Sequence, residues 1–534
     1  MTGLSAFCLR KRDLLAAAAL VVVTLVGGRL FMVPLVTGVF HDDGIYVSTA
    51  KSLASDQGYR LISLPDTPSQ TKYPPLYPTL LSVIWRIWPA FPANVLAMQW
   101  LTLLMSALAM GLCYYYVVTC GYFSRPVALL AALLSATSHY LLYYSSLLLS
   151  EMPFAFFLIL ALFMLDRFVR SDSNRISHKV LLTMVIVLPF LTRSIGVVLV
   201  PAALAFLLFR RRLSWMVGIG TLSIVAAWFA WSLHSKESSP VVYYYTSYWD
   251  WWKDFVGVRV EVRVILFNLV SLAYGIVYSG ETSLSRFVSW QPRLWPLIAL
   301  AGIPAFVGLW RGLRRKEILP WTLFAYLLVV LIWPWPPLRF IVPVLGFLLC
   351  YLLGEAWRLL RNLPPSTGRK ALVAAASLLL ILGNVWQTRA VASFNHKTHY
   401  PTTVSYWQSP ANWSCFTDAF GWIESHTRPT DIIASYFDSM VFLYTGRRAF
   451  RPLVVAPASP YYGVITQPVT VDELLQTLKA NKGRYVLCTP FDRFNDESSL
   501  TAMVDEVCRR HPKAVSTAYV GKDPRFKVYR IRIR

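Results

Sequence analysis

Apolar runs long enough to enter a bilayer recur along most of this chain, and that recurrence leaves few folds open. After a first run from about Leu14 to Leu35, others follow at roughly 94–118, 126–147, 151–168, 180–192, 194–209, 215–233, 263–280, 294–310, 318–335, 338–357 and 371–388. In lipid the backbone must satisfy its own N–H and C=O groups, so such runs become helices. At 56% hydrophobic residues over 534 positions, one soluble core could not hide this apolar surface. The chain reads as a polytopic α-helical membrane protein. Arg10-Lys11-Arg12 ahead of the first run marks a retained span whose amino end is cytoplasmic.

The net charge of +24 would suit a nucleic-acid binder, but much of the excess sits in short loops between apolar runs. Positive-inside bias accounts for that pattern, and no nucleic-acid partner is expected. Arg125, the group Arg167, Arg170, Arg175 and Lys179, and the run Arg210-Arg211-Arg212 all fall in loops expected on the cytoplasmic side. Two places resist simple counting. If 263–280 crossed, Arg311, Arg314, Arg315 and Lys316 would land outside, so that run is expected to be interfacial or re-entrant on the outer side. Read as one helix, 180–209 would bury Arg193 mid-bilayer; a short hairpin with Thr192-Arg193-Ser194 at its tip avoids this. The sum is about eleven membrane-inserted helices.

From about residue 391 the apolar runs shorten, and 18 Lys/Arg accompany 12 Asp/Glu to the end. Asp431 to Ser435 and Arg484 to Cys488 read as buried strands, Ala411 to His426 and Val471 to Asn481 as helices, and Phe526 to Arg534 as an edge strand. The expected organisation is a membrane module over 1–390, with a first outer loop at 36–93, and a soluble α/β domain over 391–534 on the outer side. Among the seven cysteines, Cys415, Cys488 and Cys508 are candidates for one disulfide.

The chemistry points to His41-Asp42-Asp43-Gly44-Ile45-Tyr46, where the chain leaves the first span. Paired carboxylates at a membrane surface suit a general base, a metal site or a solvated loop. Asp43 also suits a helix cap. The loop they open is long beside the other connections and carries Lys72-Tyr73-Pro74-Pro75-Leu76-Tyr77-Pro78, then an amphipathic stretch with Trp85, Arg86 and Trp88 suited to the headgroup layer. Tyr243 to Trp252, rich in aromatic rings, reads as an interfacial belt or a sugar-stacking surface.

The segments Asp42-Asp43-Gly44-Ile45-Tyr46 and Lys72-Tyr73-Pro74-Pro75-Leu76 resemble the first outer loop of the polyprenyl-phosphate-sugar-dependent glycosyltransferases of GT-C fold. Protein O-mannosyltransferases and the lipid A aminoarabinose transferase belong there. Ser150-Glu151-Met152-Pro153-Phe154, Thr192-Arg193-Ser194-Ile195-Gly196 and Pro337-Leu338-Arg339-Phe340-Ile341-Val342-Pro343 resemble later elements of that family, in the same order. The spacer after Lys72 is one residue longer than a plain Lys-Pro-Pro-Leu.

This resemblance implies an inverting transfer of one sugar from a polyprenyl-phosphate donor to an acceptor hydroxyl on the outer side. Asp42 would be the base, with Asp43 and Glu151 orienting the acceptor or supporting Asp42. Lys72, Arg193 and Arg339 would bind the donor phosphate, and Tyr46, Tyr73 and Tyr77 the substrates. No cofactor is called for, although Asp42, Asp43 and Glu151 are oxygen donors that a divalent cation could use. Partners would be the lipid-linked donor, a lipid, glycan or protein acceptor, and membrane lipids. The location implied is a bacterial plasma membrane, with the C-terminal domain periplasmic or extracellular. A transporter or flippase for a lipid-linked sugar shares the polytopic character but predicts inverted repeats, which the sequence does not display. A non-catalytic assembly subunit predicts that Asp42 and Arg339 are dispensable.

Overall fold

The computed structural model describes residues 11–34, 36–171, 175–236, 245, 247, 258–282, 292–361, 367–398, 410–453, 470–492 and 499–532. In chain order the helices begin with α1 (Lys11–Phe31), α2 (Asp42–Ala54), α3 (Leu76–Ile87), α4 (Val95–Thr119), α5 (Arg125–Thr137), α6 (His139–Ser146) and α7 (Glu151–Arg170). They continue as α8 (Ile176–Thr192), α9 (Leu199–Phe209), α10 (Trp215–His234), α11 (Val258–Gly280), α12 (Trp295–Leu313), α13 (Ile318–Ile332), α14 (Leu338–Ile341), α15 (Leu345–Arg361) and α16 (Thr367–Thr398). The final part holds α17 (Pro410–His426), β1 (Ile432–Ser435), α18 (Asp438–Thr445), β2 (Ala449–Phe450), α19 (Val471–Ala480), β3 (Gly483–Cys488), α20 (Leu500–Arg510), β4 (Val515–Val520) and β5 (Lys527–Ile531). Two compact units emerge. One comprises residues up to Val33, Gln99–Ala227 and Ile265–Lys397; the other comprises Pro34–Met98, Trp228–Val264 and Thr398–Arg534.

The first unit carries most of the membrane helices. Among the described residues, eight helices are long and apolar enough to cross, nine if α5 and α6, bent by 57°, form one span. Shorter apolar helices, α8 and α13 among them, account for much of the distance to the eleven expected from sequence. This is an integral membrane protein. Exposed Leu15, Leu30, Leu379 and Trp386 are what lipid-facing helix surfaces show.

The basic loops of this unit gather at one end. Arg125 makes a two-bond fork to Asp13 at 2.7 and 2.8 Å. Arg170 donates to the Cys120 carbonyl at 2.8 Å, Arg212 to Ser171 at 3.1 Å, and Arg210 to Lys316 at 3.4 Å. Loops that touch lie on one side of the membrane, so an even number of crossings separates Arg210 from Lys316. Among the described residues between them, α10, α11 and α12 are each long and apolar enough to cross. The C-terminal end of α11 is held by polar contacts to its neighbours. Ser138, at the α5–α6 bend, donates to the Ser279 carbonyl at 2.5 Å; Asn384, near the middle of α16, donates to the Gly280 carbonyl at 2.7 Å and accepts from the Thr282 N–H at 2.6 Å. A re-entrant α11, as the loop charges suggest, leaves α10 and α12 as the two crossings. These polar anchors satisfy backbone groups that lipid could not.

Helices α8 and α9 form the short hairpin. At 1.5 Å per residue the 17 residues of α8 reach only about 25 Å, less than the hydrocarbon core. Arg193 breaks the helix in an extended conformation, and the Ser194–Val198 3₁₀ turn folds back against it. The turn is so close that a β-carbon at Gly196 would lie 2.4 Å from the Pro189 carbonyl group. Only glycine fits.

The second unit contains a five-stranded sheet of order β2-β1-β3-β5-β4. The β1–β2 and β1–β3 pairs are parallel; β3–β5 and β5–β4 are antiparallel. Its core packs Phe416, Phe420 and Ile423 of α17 against Phe437, Val441 and Phe526. The expected buried strands and both expected helices are present. The expectation of an edge strand at the C-terminus is corrected: β5 is interior, and the edge is β4, whose Ser516 and Thr517 are exposed and whose polar sequence hid it. Cys415, Cys488 and Cys508 are all free thiols, so the expected disulfide does not form.

The first outer loop belongs to this same unit. The Ala449 N–H donates to the Ser63 carbonyl at 2.8 Å, joining β2 to the loop. Helix α18 sits on the 37–44 turn so tightly that β-carbons at Gly38 and Gly44 would lie 2.6 Å from Met440 Cγ and 2.4 Å from Ser439 Oγ. Gly38 also has a φ of +97°, which a β-carbon disfavours.

The re-entrant path of α11 can be checked by labelling. Single cysteines placed at Arg211 and Arg315 on a cysteine-free background should react with a membrane-impermeant maleimide from the same side. Labelling from opposite sides would make α11 a span.

Candidate active site

The two aspartates that open α2 do different things. Asp43 is fully buried, and its carboxylate accepts the Gly38 N–H at 2.7 Å and the Phe40 N–H at 2.9 Å. It caps the turn that precedes it. Burial pushes this carboxyl up to about 7, against the backbone donors that lower it. Asp42 is only half-buried, and the Tyr73 hydroxyl donates to its Oδ1 at 2.5 Å. Of the pair, Asp42 is the one placed to meet a reactant.

Around Asp42 the second unit assembles an aromatic wall. The Tyr46 ring meets those of Tyr73 and Tyr77 edge-on, with centroids 5.0 and 5.2 Å apart. Tyr77 has no exposure, so it supports Tyr46 from behind. The Lys72 and Tyr73 N–H groups both donate to Gln70 Oε1, at 3.0 and 3.2 Å, which fixes the segment. The ends of α10 hold it from above: Trp231 donates to the Gln70 carbonyl and Ser232 to the Thr71 carbonyl. Burial, ahead of the repulsion from Arg451, lowers the Lys72 ammonium to about 8, while Asp42 opposes the shift.

A second cluster lies in the first unit. Glu151, the first residue of α7, has no solvent exposure. It pairs with Arg193 Nη1 at 2.7 Å and with Arg339 through the same carboxylate oxygen. Arg193 also donates to Ser150 Oγ at 3.0 Å and stacks over the Phe340 ring at 5.3 Å. The hairpin break thus brings Arg193 to the α7 N-terminus, and α14 brings Arg339. Two guanidinium groups thus share one carboxylate oxygen at the start of α7.

Sequence reasoning missed a third group. His41 lies 3.3 Å from Asp438, which Arg451 approaches at 3.2 Å and to which the Tyr245 hydroxyl donates at 3.1 Å. All four side chains are buried. The only advance signal was an acid three positions beyond the apolar strand β1. Tyr245 comes from the aromatic stretch, and its burial corrects the belt reading at that residue. Most of Tyr243 to Trp252 lies outside the described residues.

The three-carboxylate cation site does not fit this arrangement. Asp43 is occupied by backbone donors and Glu151 by two arginines. No group of three His, Cys, Asp or Glu side chains gathers as a metal site among the described residues.

Three comparisons bear on this architecture. The sequence model of the dolichyl-phosphate-mannose-protein mannosyltransferase family matches residues 72–237. ArnT from Cupriavidus metallidurans, solved with undecaprenyl phosphate, superposes with a TM-score of 0.52 at 13% identity, covering 96% of this chain and 97% of that one. The oligosaccharyltransferase AglB from Archaeoglobus fulgidus, solved with an inhibitory peptide and a dolichol-phosphate, gives 0.55 at 15% identity over 89% of this chain and 69% of that one. No curated protein sequence matches.

The division of labour between the aspartates separates on two variants. Asp43→Asn, which leaves one backbone N–H facing an amide N–H, should cost about 1–3 kcal/mol and lower the melting temperature. Asp42→Asn keeps an acceptor for Tyr73 and should melt within a degree or two of wild type.

Helices, hairpin, outer loop and terminal sheet domain, taken with these superpositions, give the chain the GT-C fold.

Proposed function

We propose that this protein is a membrane glycosyltransferase that moves one sugar from a polyprenyl-phosphate donor to an acceptor hydroxyl on the outer side of the membrane. The observation that carries the reading is the contrast within the aspartate pair: Asp43 is spent on the backbone, while Asp42 is partly accessible and held in one orientation by Tyr73. A general base needs that combination of access and fixed aim.

The chemistry assigns a task to each group. The acceptor oxygen attacks the anomeric carbon as the bond to the phosphate oxygen breaks on the opposite face, so configuration inverts. Asp42 takes the acceptor proton. Polyprenyl phosphate departs with additional negative charge, which Arg193, Arg339 and Lys72 neutralise. Glu151 holds the two arginines in place; it is a positioning residue and does not touch the acceptor. Polyprenyl phosphates in the ArnT and AglB structures support the donor class. The setting is a bacterial plasma membrane with the C-terminal domain on its outer face.

The test is turnover of a panel of short-chain polyprenyl-phosphate sugars, scored as transfer or donor hydrolysis. Wild type should turn over at least one. Asp42→Asn should lower kcat by about 10²–10⁴-fold while donor binding survives. Undiminished turnover by Asp42→Asn removes Asp42 as base, and no binding of any panel member removes the glycosyltransferase reading.

Lys72 adds a pH signature. Above about pH 8 the folded protein releases the Lys72 proton and loses a cation, whereas the donor phosphodiester keeps its charge. Donor KM should therefore rise between pH 7 and 9 in wild type. In Lys72→Met it should start high and stay flat. A flat wild-type profile would detach Lys72 from the phosphate.

A further inference from the structure

The turn that carries Asp42 is built on a strained residue. His41 has a φ of +64° and a ψ of −54°, the centre of a γ-turn closed by the Asp42 N–H to the Phe40 carbonyl at 2.7 Å, a conformation that a β-carbon makes unfavourable. Its carbonyl accepts the Ile45 N–H at 2.9 Å, the bond that starts α2. The backbone at position 41 thus sets the direction of the first helical turn, and Asp42 rides on that turn. Something must hold His41 there.

The holder is the C-terminal sheet domain. Asp438, without any exposure, lies 3.3 Å from His41 Nδ1. Arg451 fixes Asp438 from the other side at 3.2 Å and is itself tied to the Tyr436 carbonyl at 2.8 Å. The Tyr245 hydroxyl closes the group: it donates to Asp438, accepts the Arg451 N–H at 2.9 Å, and its ring lies 5.3 Å from that of His41. Burial, then Arg451, lowers the His41 pKa, while Asp438 opposes the shift. Burial opposes ionisation of Asp438, but His41, Arg451 and Tyr245 outweigh it and hold the carboxyl below its usual range. Further along α18, Tyr444 accepts the Thr37 N–H at 3.2 Å, and Met440 and Ser439 fill the space beside Gly38 and Gly44. One short helix grips both ends of the turn. Apolar side chains could fill such a site at least as stably, so a buried ion pair with directional bonds is better matched to fixing an orientation.

We propose that Asp438 and Arg451 are positioning residues for the Asp42 carboxylate, acting through His41 and the 37–44 turn. This rests on the reading of Asp42 as base. The C-terminal domain is then part of the reacting geometry, and its first duty is to the base.

The test compares the full-length protein with Asp438→Asn, His41→Gly and the double variant, using whichever short-chain polyprenyl-phosphate sugar wild type turns over. Glycine takes a positive φ without a β-carbon penalty and has no side chain to reach Asp438. The singles should lower kcat by about 10- to 100-fold, as expected for a base displaced by an ångström or less, with donor KM within about twofold. The double variant should be no slower than the slower single. Hydrogen exchange over residues 37–46 should quicken in Asp438→Asn. Arg451→Gln serves as the second variant, with the same expectations, where Asp438→Asn does not fold.

Unchanged kcat, losses that multiply, or a kcat loss matched by an equal fall in melting temperature overturns the proposal. Should wild type turn over no sugar in the panel, the Asp42 reading fails by itself. The exchange measurement then still decides whether Asp438 holds the turn: faster exchange upholds that part, and unchanged exchange overturns it.

Discussion

A carboxylate removed from water must be given donors or cations in exchange, and three fully buried ones shape this molecule. Asp43 is answered by backbone N–H groups, Glu151 by two arginines, and Asp438 by arginine, histidine and tyrosine. Each solution has a structural consequence. The first folds the turn ahead of α2, the second ties the α8–α9 hairpin and α14 to the start of α7, and the third docks α18 onto the outer loop. Leaving any of these carboxylates without its partners would cost several kcal/mol, so the arrangement is cooperative. Asp42 escapes full burial, and that distinguishes it.

Much of the membrane architecture was legible because lipid imposes simple rules. Runs of apolar residues had to be helices, and the loop charges identified the exceptions. Four arginines and lysines at 311–316 argued that 263–280 does not cross; the Arg210–Lys316 bond requires an even number of crossings between those loops, and a re-entrant α11 meets that requirement. A test of length and composition alone counts α11 as a span. Charge in the flanking loops carried information that hydropathy of the helix lacks.

The site was legible in part, for a different reason. Adjacent acids at the exit of the first span are conspicuous, but nothing in Asp42-Asp43 says which faces outward. That depends on Gly38 adopting a positive φ so that the 37–40 turn can present its amides to Asp43. Glu151, Arg193 and Arg339 were chosen separately from three stretches, and only the fold reveals that they are a single ion cluster. The His41 group was invisible because its members are far apart in sequence, Tyr245 and Asp438 by 193 positions. Strand β4 was missed since its Ser and Thr face solvent and supply no alternation.

The extra residue in Lys72-Tyr73-Pro74-Pro75 has a physical use. Pro74 and Pro75 cannot donate backbone hydrogen bonds and each fixes its own φ ahead of α3, so the residue before them has little freedom. Gln70 accepts from both Lys72 and Tyr73 and removes more. A tyrosine held this way carries its hydroxyl to Asp42 without ordering a flexible side chain at the moment of reaction. The longer spacer thus adds a fixed phenol to the carboxylate, and the same rigid segment presents Lys72. On the proposed roles of Asp42 and Lys72, base and cation are set by one short stretch, so small displacements of the neighbouring turn should register in turnover before they register in binding.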